Sequence, residues 1–271
     1  MFIVKVPGIN GLGKTQGCEL AGRDILKCLR EEVYSSEEGK EVDFPSLRLE
    51  EIHLDNFNLE VTNKLIYKNA FETFGSEPRA IFLGGDHSIS YSLTRAFFDY
   101  CENSGREPCL IVFDAHPDCM KPVDKNFPTH EEWLRGLIED GFPAKNILLV
   151  GMRNAWKTER DFLKKKGVRI ISVNTFLGDL EGTCDGIMEF SSGKELYVSL
   201  DIDVVDPAFA PATGYCEPGG LTSRQILYLI SRMNKMKNLR AVDIVEINSE
   251  KDKKFNGITT KLGAKILGEL V

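Results

Sequence analysis

In "LIVFDAHPD" two aspartates and a histidine, Asp114, His116 and Asp118, alternate at the end of an apolar run. Residues two apart on an extended chain face the same side, so these three side chains are expected to converge. "LYVSLDIDVVDPAFAP" repeats the alternation with Asp201 and Asp203, inside an apolar stretch, Val198 to Val205, that reads as a strand. Aspartates are rarely buried unless paired or coordinated, so a merely structural role there would be expensive. Asp206, which precedes a proline, reads as a turn-builder instead. "AIFLGGDHS" ends in His87 after Gly84 and Gly85, which are expected to let the backbone turn sharply. Each stretch alone has a plainer reading, as a hydrogen-bonded loop histidine or a solvated turn after a buried strand.

Together, His87, Asp114, His116, Asp118, Asp201 and Asp203 offer two imidazoles and four carboxylates. Carboxylates gathered in a partly buried site repel one another and lose hydration unless protons or cations neutralise them. No thiolate joins the set, so Mn²⁺ suits it better than a structural Zn²⁺, while Ni²⁺, Co²⁺ and Fe²⁺ accept similar donors. Six donors exceed the needs of one tetrahedral ion. If two carboxylates bridge, the set serves two cations about 3.5 Å apart, a pairing that activates water at neutral pH.

The N-terminus offers a competing chemistry. Gly8 to Thr15 in "MFIVKVPGINGLGKT" satisfies G-x-x-x-x-G-K-[ST], with a strand-like run, Phe2 to Val6, before it and helical spacing over Glu19 to Val33 after it. That is the context a phosphate-cradling loop needs. "LIVFD" would then be the acidic strand that positions Mg²⁺, but this nucleotide-hydrolase reading uses Asp114 and leaves the other five donors without a role.

The elements that must position these residues alternate along the chain. Apolar runs at Ala80–Leu83, Leu110–Phe113, Ile147–Val150, Val168–Val173, Leu196–Leu200 and Leu239–Ile244 mostly lack alternation, as expected of strands covered on both faces. Between them, Ser88–Tyr100, His130–Asp140, Lys157–Lys166 and Thr222–Met236 carry apolar residues at helical spacing, the last opening with a Thr222/Gln225 capping box. The fold class is therefore α/β with a parallel sheet, read as one domain over residues 1–271. Ligands in such sheets bind beyond the carboxyl ends of the strands, where the candidate donors lie.

The formal net charge of −7 argues against a nucleic-acid or anionic-membrane partner and fits a small, cationic one. Seven scattered cysteines without a C-x-x-C pair indicate neither a disulfide framework nor a zinc knuckle, and suit a reducing cytoplasm. No secretory leader or membrane-spanning stretch is apparent.

In order and spacing, "GGDHS", "DAHPD" and "SLDIDVVDPAFAPATGYCEPGGL" resemble the arginase/agmatinase (ureohydrolase) family through nearly the whole chain. The resemblance implies a three-layer α/β/α arginase-like sandwich, a binuclear Mn²⁺ centre, and hydrolysis of a small guanidino substrate to urea and an amine. It further implies one metal held by His87, Asp114, Asp118 and Asp201 and another by Asp114, His116, Asp201 and Asp203, with Asp114 and Asp201 bridging. His130, in "FPTHEEW", resembles the family's proton-shuttling histidine, and Glu246, in "AVDIVEIN", its guanidinium-binding glutamate; the plainer readings are a surface helix-start histidine and an edge-strand glutamate. Ala212, Tyr215 and Cys216 interrupt the family's P-G-T-G-T-P-E, Cys119 stands at a position that is often small or apolar, and "EINSEK" replaces an ending with proline. The opening loop and "GCELAGRDILKCL" also resemble the family's first strand–loop–helix, which makes the phosphate-loop match coincidental. Arginases carry Ser-Gly-Asn-Leu-His where this chain reads "KNFPTH". Agmatine is therefore favoured over arginine, with guanidinobutyrate and formimidoylglutamate as alternatives. The resemblance implies a homo-oligomer, trimer or hexamer. A non-catalytic metal-binding scaffold is the contrasting class.

Overall fold

The computed structural model describes residues 1–11 and 13–271; Leu12, within the phosphate-loop-like stretch, lies outside the described residues. Eight strands form one parallel sheet: β1 (Phe2–Val6), β2 (Arg48–Glu51), β3 (Ala80–Gly84), β4 (Pro108–Phe113), β5 (Ile147–Val150), β6 (Arg169–Ile171), β7 (Glu195–Asp201) and β8 (Leu239–Val245). Each expected apolar run contributes a strand to this sheet, but Val168–Val173 does so only over Arg169–Ile171, a largely exposed edge strand, and Val173 already begins a helix. β2 is the addition: its sequence, RLEE, is exposed throughout, so no buried pattern announces it. It pairs parallel with β1 at the sheet edge, where charged side chains discourage further pairing.

The helices are α1 (Ala21–Glu32), α2 (Leu59–Ser76), α3 (Ile89–Asn103), α4 (Trp133–Glu139), α5 (Lys157–Lys166), α6 (Val173–Gly178), α7 (Leu180–Phe190), α8 (Ser223–Asn234), α9 (Ser249–Asp252) and α10 (Ile258–Leu270). Alternate strand residues feed two cores. Ile3, Ile81 and Ile111 pack with α1, α8 and α10 on one face. Val4, Phe82 and Val112 pack with α2, α3 and α4 on the other. The result is the expected α/β/α sandwich. Local chemistry sets the ends of several helices. Thr222 and Gln225 form the reciprocal capping box of α8, and α5 stops at left-handed Gly167 after three lysines. No described helix is long and apolar enough to cross a membrane.

The strand order β2-β1-β3-β8-β7-β4-β5-β6 explains where ligand chemistry can gather. After β3 the chain skips outward to β4, and β7 and β8 later fill the gap. Four adjacent strands, β3, β8, β7 and β4, thus end side by side at the place where strand order reverses.

The backbone bends at Gly85 directly after β3, as expected from sequence, but neither Gly84 nor Gly85 is among the glycines with positive φ. They are needed for space. A Cβ at Gly85 would overlap the Gly8 carbonyl oxygen, and one at Gly84 would overlap Ile89, so the β1 and β3 loops pack backbone to backbone. Replacing Gly85 with Ala is expected to destabilise the protein by about 2–3 kcal/mol, read as a lower urea midpoint at unchanged m-value.

Candidate metal centre

The six candidate donors come from three of the four central strand ends, and the fourth supplies Glu246. His87 follows β3, Asp114 to Asp118 follow β4, Asp201 closes β7, and Asp203 and Glu246 lie just past β7 and β8. The local geometry is not the extended alternation expected from sequence. β4 ends at Phe113, and Asp118 is reached through a loop in which it takes a φ of 46°. The run Val198 to Val205 is likewise not all strand, since Ile202–Val204 is a 3-10 turn carrying Asp203. The side chains converge nonetheless, because backbone amides orient them.

Three aspartates share one arrangement. Asp114 Oδ1 accepts from His116 N–H at 2.6 Å, Asp201 Oδ1 from Asp203 N–H at 2.8 Å, and Asp203 Oδ1 from Ala115 N–H at 2.9 Å. Each anchors one oxygen and presents the other. The presented Oδ2 atoms of Asp114 and Asp201 lie 3.0 and 3.3 Å from His87 Nδ1, and that of Asp203 lies 2.9 Å from His116 Nδ1. Asp118 Oδ2 lies 3.0 Å from His87 Nδ1 and accepts from Trp133 Nε1 at 2.8 Å. The donor atoms of His87, Asp114 and Asp201 all fall within 4.8 Å of one another, as do those of Asp114, His116 and Asp203. The two groups therefore share Asp114, whose Oδ1 also lies 3.6 Å from His116 Nδ1, and Asp201 belongs to the first of them.

The histidines are turned so that Nδ1 faces the carboxylates. His87 Nε2 is 2.9 Å from Ser199 Oγ, which donates to Asp243 at 2.7 Å, and His116 Nε2 is 3.4 Å from Glu217 Oε1. Occupying the far nitrogen in this way fixes which nitrogen is left as a ligand. His87 Nδ1 and Asp114 Oδ2 are buried with no properly directed hydrogen bond, despite their short separation. Buried orphan atoms at such spacing, in an all-nitrogen-and-oxygen set, fit a pair of divalent cations.

Electrostatics lead to the same fit. Burial opposes ionisation of every carboxylate here, and Asp118 is pushed up to about 7, with Asp114 adding repulsion. Asp201 is held well above the usual carboxylate range by burial and by Asp203 and Asp114, and Asp203 is raised by burial and by Asp114. Burial also works on Asp114, but the adjoining imidazoles hold it below the usual range. Burial pulls the two imidazoles down, yet their carboxylate neighbours outweigh it and raise both. The cluster thus holds positive charge strongly, and bound cations meet the same demand.

The remaining predicted residues line the same cavity, of about 160 Å³, with His87, His116, Asp118, Asp201 and Asp203. Glu246 is buried beside a central strand, not on an edge; its φ is 64°, and its Oε1 accepts from His87 N–H at 2.9 Å. Burial, with Asp86 nearby, raises its carboxyl well above the usual range. His130 precedes α4 in a turn, not in the helix, and is buried with neither ring nitrogen hydrogen-bonded. Burial lowers its proton affinity. Asp206 is a turn-builder, accepting from Ala208, Gly219 and Gly220 amides.

Several contributors escaped the sequence reading. Asp86 is fully buried and accepts from Asn10 N–H and Thr15 Oγ, each at 2.7 Å. Glu159 is buried and ties Cys119 N–H, beside Asp118, to Trp156 N–H on the cavity wall, at 3.0 and 2.9 Å. Asn154 donates to Glu217 at 2.6 Å, and Arg153 donates to the Asp203 carbonyl at 2.7 Å. For Asp86, its place in "GGDHS" is a usable signal; the others are joined only by tertiary contact.

A parallel sheet whose central strand ends bring two imidazoles and four carboxylates into one cavity defines an α/β protein with a candidate two-metal centre. Its family follows from comparison: the arginase family model matches residues 1–271, and the chain belongs to the arginase family, the ureohydrolases. It is 32% identical over 244 residues to "Arginase 1, mitochondrial" of Oryza sativa subsp. indica, covering 87% of this chain and 69% of that protein. It is also 32% identical over 227 residues to proclavaminate amidinohydrolase of Streptomyces clavuligerus, covering 82% and 70%. The solved structure of that amidinohydrolase superposes with a TM-score of 0.86 at 26% identity, covering 99% of this chain and 89% of the other.

Mn²⁺ added to metal-free protein at about 100 times its Kd is expected to stabilise it by about 2.7 kcal/mol, seen as a higher Tm. Asp203→Ala is expected to lower the metal bound after equilibrium dialysis, and Asp114→Ala to lower it further. An unchanged complement in Asp203→Ala would count against a second metal position.

Proposed function

We propose that this chain is a binuclear-manganese ureohydrolase, folded as one domain, that cleaves agmatine to putrescine and urea. The observation that carries the reading is the pair of imidazole–carboxylate groups meeting at Asp114. His87, Asp114, Asp118 and Asp201 would hold one ion, and Asp114, His116, Asp201 and Asp203 the other. Two divalent ions in this position supply Lewis-acid activation of water at neutral pH.

The chain's own residues account for the rest. Glu246 keeps Oε1 on the His87 amide, and among the described residues the hydrogen-bond partner of its Oε2 is the Cys18 thiol, 4.0 Å away. A guanidinium brought to Oε2 makes charge-assisted hydrogen bonds and favours the ionised carboxylate that burial opposes. His130, with both nitrogens free, is the group that hands a proton to the departing amine.

Agmatine is supported by what lines the cavity. Among the described residues, the lining includes Glu131, Glu217, Trp156 and Met120 and no lysine or arginine. Such a wall suits an alkyl chain ending in an ammonium and offers no cation to an α-carboxylate. Arginine is the competing substrate, on the strength of the similarity to a plant arginase. Seven free cysteines support a reducing, cytoplasmic setting, and the family resemblance supports a homo-oligomer.

The test is urea release by Mn²⁺-loaded protein from agmatine, arginine and guanidinobutyrate, with ammonia release from formimidoylglutamate in parallel. Agmatine is expected to give the highest kcat/KM; arginine ahead of it would overturn the substrate, and silence on all four, with two metals bound, would overturn the enzyme reading. Glu246→Gln is expected to lower kcat/KM on the preferred substrate about 100-fold or more, with bound metal unchanged.

A further inference from the structure

Tyr215 and Lys14 stand next to this chemistry without a role in it. Tyr215 is one of the residues that interrupt the family motif in "PATGYCEPGG", and Lys14 belongs to the phosphate-loop-like stretch. In the fold they meet. The Tyr215 ring stacks on His130, with centroids 5.7 Å apart and planes at 23°, and meets His116 edge-on at 6.1 Å. Lys14 Nζ lies 5.0 Å from the Tyr215 centroid, within the range of cation–π attraction.

An imidazole is usually oriented by a hydrogen bond at one nitrogen, which also selects its tautomer. His130 has no such bond at either nitrogen, although it is buried. The nearest carboxylate, Glu131 Oε1, is 3.8 Å from Nε2, too far to fix the ring by a hydrogen bond, and Tyr215 supplies the parallel aromatic face. The Tyr215 hydroxyl makes no well-directed hydrogen bond, with Lys14 and Glu131 as its polar neighbours, and it is the ring that contacts His130.

The geometry points to Tyr215 as a positioning residue for His130, with the Lys14 ammonium seated on the Tyr215 ring so that the β1 loop braces the stack. The inference rests on the reading of His130 as the proton donor above. A proton donor free to swing out of line loses rate far more than affinity, because its bond to the leaving nitrogen matters in the transition state.

Tyr215→Thr, which restores the family's residue, is expected to lower kcat about ten-fold with KM and bound metal little changed. Tyr215→Phe keeps the ring and should retain wild-type kcat. In a His130→Ala background, Tyr215→Thr should have no further effect, since nothing remains to be positioned; multiplicative losses would overturn the inference. An undiminished rate in His130→Ala alone would overturn the donor reading, and this inference with it. One readout is independent of turnover. The chain has four histidines, so in protein loaded with diamagnetic Zn²⁺ in place of Mn²⁺ the His130 ring resonances can be assigned by NMR, and their ring-current shift should persist in Tyr215→Phe and disappear in Tyr215→Thr. A His130 signal unmoved in Tyr215→Thr would overturn the stack.

Discussion

Negative charge confined where water cannot screen it is the constraint that the rest of the structure serves. Asp86, Asp114, Asp118, Asp201, Asp203 and Glu246 are all buried at one end of the sheet. Ionised carboxylates in such a setting need hydrogen bonds and compensating charge. The fold meets the first need with backbone amides, each holding one oxygen of Asp114, Asp201, Asp203 or Glu246. The second need is left to the centre of the cluster, where the free oxygens point. A polypeptide that spends its amides on one side of each carboxylate has shaped the other side for cations.

Topology makes this arrangement possible. Parallel strands place all their carboxyl ends on one edge, and the late insertion of β7 and β8 between β3 and β4 brings four such ends together. Backbone strain is concentrated there too. Of the three non-glycine residues with positive φ among those described, two are Asp118 and Glu246. Such conformations cost about 1–3 kcal/mol each and persist only where surrounding contacts over-determine them. The Trp133 indole on Asp118 and the Gly85–Glu246 and His87–Glu246 hydrogen bonds supply that determination.

The parts legible in the sequence were those encoded by neighbours. The buried strands announced themselves as apolar runs, and the donor aspartates and His116 lie two residues apart beside such runs, so strand ends and donors were visible together. Elements without a one-sided apolar pattern stayed hidden. β2 is polar throughout, α2 spreads its apolar residues around the helix, and α10 is buried on nearly every side. The support of the centre was hidden for a different reason. Ser199 and Asp243 behind His87, and Glu217 and Asn154 behind His116, come from different elements and meet only after the sheet is assembled. The candidate donors sit on a loop and a 3-10 turn rather than on an extended strand, and such elements can present side chains as a strand does when amide hydrogen bonds pin them.

The N-terminal phosphate-loop pattern shows how a motif can be fully present and physically spent. A phosphate-binding loop leaves its amides and its threonine hydroxyl free to meet a ligand. Here Ile9 N–H donates to Asn56, Asn10 N–H and the Thr15 hydroxyl donate to Asp86, and Lys14 N–H donates to the Gly11 carbonyl. Asp86, itself acidic, takes two of the donors an anion would use, and it is next to His87 in sequence. Gly8 therefore serves close packing: it lies against Gly85, and the loop clamps the turn that aims His87 and receives Glu246. What resembles a binding site for phosphate is a brace for the end of β3 that carries the candidate metal donors: Gly8 and Gly85 allow the close approach there, while Gly13 meets no neighbour and takes a positive φ of 83°.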